Sequence, residues 1–452
     1  MTGDVATSVG RDPHAAADAL LTETLKAAVR AGTEPDFVAA LRAEARAVLE
    51  TAGFPKPKDE AWRFTPLGSV LRVGYRPAKA ASDGTAIALQ QAAFSLPGAS
   101  RVLLVNGIPH LVGGTCSGAS VEVGTLADAL STSPASVAPY LGKIAPLGDG
   151  FAAQNAALFT DGLVIVAKAG APEQTVHVVH ASTQGSSDGP TLSTPRLLVI
   201  AERGSALRLI ETDVGRGPLT HLENSVTEIA IGDSARVTHI RVGERARPAA
   251  RVAQIAVRQG RGSRYESRVF ALGGALERHY LRVLLDGDGA ECSLDGLYLS
   301  GEGELVAHHT WVDHAVPGCT SRQRYKGILD GDGVAVFDGT VVVRRGAVRT
   351  AAHQENRNLL LSGNAVVHAK PHLEIDADDV KCSHGATVGR LDPNELFYLR
   401  SRGLELELAR SLLTYSFARE VVRAVDDPVL ERILEDRIAA RLPDGLRAKE
   451  LA

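Results

Sequence analysis

The side chains best suited to chemistry gather late in the chain. Seven of the fourteen histidines, from His308 to His384, fall within 77 residues, and Cys319 and Cys382 share that stretch. Cys382-Ser383-His384 sets a thiol and an imidazole two residues apart. On a strand both point to one face, where they could together hold a soft metal ion. The plainer alternative is a buried cysteine acting as a small hydrophobe, beside a histidine hydrogen-bonded at a strand end. His308 and His309 must lie on opposite faces of any strand, so at most one reaches a shared site. Asp376, Asp378 and Asp379 precede the Cys-His pair. Two carboxylates on one face could do the acid–base work of a solenoid that cleaves polysaccharides, although a solvated turn is the simpler expectation.

Several chemistries are excluded at once. Sugar sites lean on aromatic platforms, and this chain has two Trp and 4% aromatic residues. Gly142-Lys143-Ile144 is the nearest approach to a phosphate loop and lacks both the spacing and the magnesium-binding hydroxyl, so no ATP hydrolysis is expected. Gly287, Gly289, Gly331 and Gly333 belong to Asp-Gly turns rather than to a dinucleotide fingerprint, and no intrinsic cofactor is indicated. The four cysteines, Cys116, Cys292, Cys319 and Cys382, include no Cys-x-x-Cys pair. They are too few for a disulfide framework and too scattered for a zinc knuckle or a self-contained four-thiolate cluster. Any metal held here needs histidine, or ligands from a partner.

Forty-nine basic against fifty-three acidic side chains leave a formal charge of -4, which offers nucleic acid no positive field. Asp4, Asp12 and Asp18 interrupt the beginning of the chain, and nowhere do eighteen apolar residues run together. The expectation is a cytoplasmic protein, neither exported nor membrane-spanning.

The elements that must position these residues fall into three parts. Residues 1–95 read as a helical domain with a bridging segment: Asp12-Pro13 opens a helix carrying Leu21, Leu25 and Val29, and a second runs from Phe37 to a stop at Gly53 and Pro55. Residues 96–389 are short Val/Ile/Leu-rich runs with period-two alternation, such as Arg196-Ala201 and Val252-Arg258, separated by Asp-Gly turns. Nearly three hundred such residues without a dividing linker favour one β-solenoid over stacked sandwiches, since a sandwich closes near about 100 residues. Residues 390–452 return to helix. Asp392-Pro393 and Asp427-Pro428 are starts, Leu404, Leu408 and Leu412 form one stripe, and Leu430, Leu434 and Ile438 another. That apolar side docks on the chain's own body by default, or on a partner.

Three segments carry a resemblance: His353-Gln354-Glu355-Asn356-Arg357-Asn358, then Lys381-Cys382-Ser383-His384-Gly385-Ala386-Thr387, then Leu396-Phe397-Tyr398-Leu399-Arg400. They resemble the C-terminal signature of SufD proteins, within the SufB/SufD family of iron–sulfur cluster assembly scaffolds. Glu60-Ala61-Trp62-Arg63-Phe64-Thr65 is similar to the family's N-terminal segment. The resemblance implies a mainly β protein with a right-handed parallel β-helix core between helical domains. It implies a non-ATPase scaffold that pairs edge to edge with SufB, or with itself in SufB's absence, and binds the ATPase SufC through its C-terminal helices. It also implies that His384 takes part in cluster assembly as a candidate transient ligand of iron or of a cluster shared with SufB, with Cys382 the weaker candidate. A SufB-type paralogue and a carbohydrate-active β-helix are the alternatives; the Ser383-His384-Gly385 sequence favours SufD.

Overall fold

Alternation along the strands builds a hollow body. In Leu276–Leu285 the side chains of Leu281, Val283 and Leu285 turn inward, while Arg278, Tyr280 and Arg282 turn out. Successive strands pair in parallel with the strand two places on, Arg251 beside Glu277 and Glu277 beside Val306, so each face becomes a continuous column. The outcome is the expected parallel β-solenoid. This computed structural model describes residues 20–26, 34–110, 116–183, 189–215 and 219–452.

Two sheets of twelve and ten strands face each other, and strands from Arg196–Ala201 to Lys381–Gly389 alternate between them. Between the sheets lies the main apolar core, with Ile255, Val283, Val312 and Val341 from one side and Val176, Leu209 and Leu294 from the other. The turns use the expected chemistry: Gly331, in Asp330-Gly331-Asp332-Gly333, has φ +59°, where any Cβ is strained. Glycines inside strands serve packing instead. A side chain at Gly327 would strike Tyr298 and Asn358.

Helices cover part of each sheet's outer face. Over the first lie helices Asp36–Ala52 and Gly150–Leu158, packing Leu41, Leu49 and Phe151 against Leu198, Ile200 and Leu222. Over the second lie helices Leu406–Val422 and Pro428–Ala439, packing Tyr415, Val422, Leu430, Leu434 and Ile438 against Ile240, Phe270 and Leu299. The apolar side of the C-terminal tail therefore docks on its own solenoid. The caps are as expected: Asp392 accepts from Asn394 N, and Asp427 from Val429 N and Leu430 N.

Two expectations need correction, and a third is only partly covered. The segment 96–389 is not uniformly β: Leu126–Thr132, Pro134–Val137 and Gly150–Leu158 are helical. The last is an alanine-rich run capped by Asp149, whose carboxylate accepts from Phe151 N and Ala152 N. Leu404 and Leu412 are only half-buried, because the helix turns its Tyr415, Ala418 and Val422 side to the sheet. Of the first predicted helix, residues 20–26 are helical; Asp12, Pro13 and Val29 lie outside the described residues.

The segment Glu60-Ala61-Trp62-Arg63-Phe64-Thr65 works as a clamp. Arg278 reaches out of the sheet to lie 3.7 Å over the Trp62 ring, donating to Ala61 O at 3.0 Å and Thr65 Oγ1 at 3.2 Å. Phe64 stacks on His368 at 4.0 Å, and Glu60 pairs with Lys370 at 3.2 Å. Trp62 also stacks on Phe151. Trp62→Ala is expected to lower stability by about 3–5 kcal/mol through the lost burial and the lost cation–π contact. The check is a urea titration together with limited proteolysis. An unchanged midpoint and unchanged cleavage between residues 54 and 68 would show that the clamp does not hold the N-terminal part down.

Candidate functional site

The solenoid ends without a lid. Val366–Ile375 is the last strand of one sheet and Lys381–Gly389 the last of the other, and each pairs on one side only. Val366, Ile375 and Val388 are exposed on these strands. The helix that follows, Pro393–Ser401, buries none of its residues; Phe397 is 74% exposed and Tyr398 57%. Free strand edges beside bare aromatic side chains make a surface built to be covered.

Cys382 and His384 stand on this final strand. Register places Cys382 beside Ala352 and His384 beside the fully buried Gln354, so both continue inner columns of the solenoid at its open end. His384 is exposed there, while Cys382 is half-buried against the core. Burial pushes the Cys382 thiol above its ordinary range, with a smaller opposing effect from the backbone of Ala352, so it is not an activated thiolate. Ser383 faces the other way, its hydroxyl 2.8 Å from Nδ1 of His353.

The remaining histidines do not converge on this pair. His308 points into the lumen and stacks on His279, whereas His309 points out and lies 2.6 Å from Arg278. Burial holds both well below the usual imidazole range. His314 is 2.8 Å from Ser321, and His372 lies 3.2 Å from Glu374 on the surface. Among the described residues no group of three or more His, Cys, Asp or Glu could hold a metal ion. Asp376, Asp378 and Asp379 are exposed in the turn before the last strand. Cys292 and Cys319 are buried.

A second polar assembly was not anticipated from the sequence. Inside the solenoid, Arg251 donates to Asp213 and Glu223 at 2.8 Å each and to Glu277 at 3.1 Å. Arg245 bonds Asp213 and Glu223, and Arg241 bonds Glu211. His180 and His239 close on Glu211 at 2.6 and 2.7 Å. Burial opposes charge on all four carboxylates, yet the guanidiniums and histidines hold them below their usual range. Burial likewise opposes charge on His180, but Glu223 and Glu211 raise its pKa. The signal was there in retrospect: Glu211, Asp213, Glu223, Arg241 and Arg251 occupy the in-facing parity of otherwise apolar strands.

A family model described as "SUF system FeS cluster assembly, SufBD core domain" matches residues 180–417, and one for the "SufBD protein N-terminal region" matches residues 21–178. The chain belongs to the SufBD family. It is 31% identical to an iron–sulfur cluster assembly SufBD family protein of Synechocystis over 92% of this chain and 93% of the relative. It is also 31% identical to the Escherichia coli iron–sulfur cluster assembly protein SufD, over 88% and 92% respectively. A SufBD family protein of Mycobacterium leprae is 28% identical over 84% and 88%. As a family member the chain takes part in SUF iron–sulfur cluster assembly. No helix among the described residues is long and apolar enough to cross a membrane.

Proposed function

We propose that this SufBD protein is the SufD-type scaffold of a SUF assembly, a subunit without ATPase activity that pairs with SufB through its open end and binds SufC through its C-terminal helices. The observation that carries the reading is the open end itself, with two half-paired terminal strands beside the bare Phe397 and Tyr398. The Ser383-His384-Gly385 sequence and the likeness to SufD of Escherichia coli favour the SufD type. The iron–sulfur cluster is cargo, and the chain brings no resident cofactor. Inner columns that end in one exposed imidazole and one thiol raised by burial supply half a site at most, because cluster irons take mostly thiolates. A partner seated on the end must bring the rest. His384 is the ligand this chain would contribute to a transient iron or cluster, and Cys382 is secondary.

SufC needs a surface that the solenoid does not already use. The inner face of the helical tail is buried against the sheet, so the docking surface lies on its outer side, where Val429, Leu446 and Leu451 are exposed. Removing the tail would uncover Ile240, Phe270 and Leu299 and damage the fold, so point substitutions make the cleaner probe.

The test is co-purification of the full chain with separately tagged SufB and SufC. Val429→Asp with Leu446→Asp is expected to lose SufC and keep SufB. Retention of neither partner by the wild-type chain would refute the scaffold reading. His384→Ala is expected to fold and to retain both partners while cluster maturation falls by at least about tenfold, a loss of about 1.4 kcal/mol or more in assembly-site stabilisation. Normal maturation in cells that depend on this system would remove His384 from the site.

A further inference from the structure

The inner column that ends at His384 is polar where a solenoid core is otherwise apolar. Register carries Gln323 onto Gln354 and Gln354 onto His384. Both glutamines are fully buried and face across the lumen. Gln323 Oε1 accepts from Thr310 Oγ1 at 2.7 Å, and Gln354 fills the space that a side chain at Gly339 would need. Thr310 and Gly339 belong to the opposite sheet.

Much of this polar surface has no protein partner. Among the described residues, Gln323 Nε2 and both amide atoms of Gln354 are unbonded. So is Nε2 of His308, whose ring stacks on His279 at 5.0 Å. Deeper still, Glu277 Oε2 and His279 Nδ1 are unbonded, and His279 Nε2 lies 2.9 Å from Glu277 Oε1. The neighbouring Tyr298, Asn356 and Asn358 satisfy one another. A buried polar atom left without a partner costs about 1–3 kcal/mol, so a whole tract of them requires a guest. That guest must donate to a carboxylate and an amide oxygen and accept from amide N–H groups. Burial keeps both imidazoles uncharged, so they too offer one donor and one acceptor each. Water has this two-way chemistry, whereas an ion of either sign would satisfy half of the groups and repel the others.

We propose that the lumen holds a file of bound water from the Glu277–His279 pair, past His308, Gln323 and Gln354, to the underside of His384, along which protons reach the end face. The residues that carry this inference lie inside the chain, so it holds whichever SUF subunit the chain is.

The test is water-exchange NMR on the full chain with isotope-labelled histidine rings, comparing wild type with Gln354→Leu and Gln354→Met. With a water file, the His308 ring N–H exchanges at least about tenfold faster in wild type than in either variant, because an apolar side chain closes the path. Backbone amides of Leu305–His314 serve as the reference and stay unchanged. Equal ring exchange in all three proteins overturns the proposal. So does a wild-type ring N–H as protected as those amides, a comparison that needs no variant to fold.

Discussion

Phe397→Asp combined with Tyr398→Asp is expected to weaken pairing with SufB by at least about 100-fold while leaving the isolated chain as stable as wild type. Both side chains project from a helix that buries nothing, so their replacement removes only the exposed contact of Arg402 with Tyr398. Exposed substitutions of this kind change folding by about 0.5 kcal/mol or less. At an interface the same residues behave differently. Large aromatics at the centre of a patch contribute about 2–4 kcal/mol each, and a carboxylate placed there must also be desolvated without a partner. The measurement is calorimetric titration of SufB into each protein, with thermal unfolding as the control. Undiminished affinity would mean that SufB does not sit on the open end, and the half-site account of His384 would fall with it. Lost affinity accompanied by lost stability would show that the helix packs in solution and would void the comparison.

Arg251→Met is expected to cost about 3–5 kcal/mol, the range found when one member of a buried ion pair is removed. This guanidinium touches Asp213, Glu223 and Glu277, and all four groups are buried. Its removal leaves three carboxylates to share Arg245, Arg241 and His180. The effect has a pH signature with a definite sign. Net lowering of the Glu277 pKa to about 2, burial opposing it and Arg251 driving it, means the unfolded chain takes up a proton before the folded one does. Glu277 therefore stabilises fully above about pH 4.5, its ordinary value, and this stabilisation is lost as pH falls toward about 2. Asp213 and Glu223 are held low as well and act in the same direction. The gap in urea midpoint between wild type and Arg251→Met should thus be widest near neutrality and narrow progressively below about pH 4.5. A gap that is constant with pH would assign the loss to packing around the long side chain rather than to charge.

The buried network and the lumenal water file occupy the same cavity of the fold and meet at Glu277. Their roles differ. Arg251, Asp213 and Glu223 satisfy one another and fix the coils in register, whereas the groups from His279 to Gln354 leave bonds to be made. A polar interior in a solenoid costs stability that apolar side chains would have provided, which is a reason to look for a function at the end to which it leads.

Much of this was legible in the chain before any coordinates. Alternation in runs such as Val252-Arg258 means strands with two unlike faces, and the Gly and Asp-Gly turns between them leave no long connections, so stacking into coils was the economical solution. Asp392-Pro393 and Asp427-Pro428 mark helix starts through local bonding alone, and they start helices here. The two-residue spacing of Cys382 and His384 sets them on one strand face by backbone geometry. Local pattern was weaker between residues 126 and 158, where alanine-rich helix and apolar strand look alike over short stretches.

Tertiary structure alone decided the rest. Which face of a strand is lumenal depends on what covers the other face, so the sequence determined that His308 and His309 are opposed, but only the packed sheets made His308 the inner one and placed His309 under Arg278. Parity sets Glu211, Glu223 and Arg251 on the inner face, but which of these charges bond was decided only by the register that stacks them, Glu211 beside Arg241 and Glu223 beside Arg251. Nor could the exposure of His384 be read locally. It follows from the solenoid's having no further coil to lay over the last strand, and a chain reveals where its pairing stops only once it is folded.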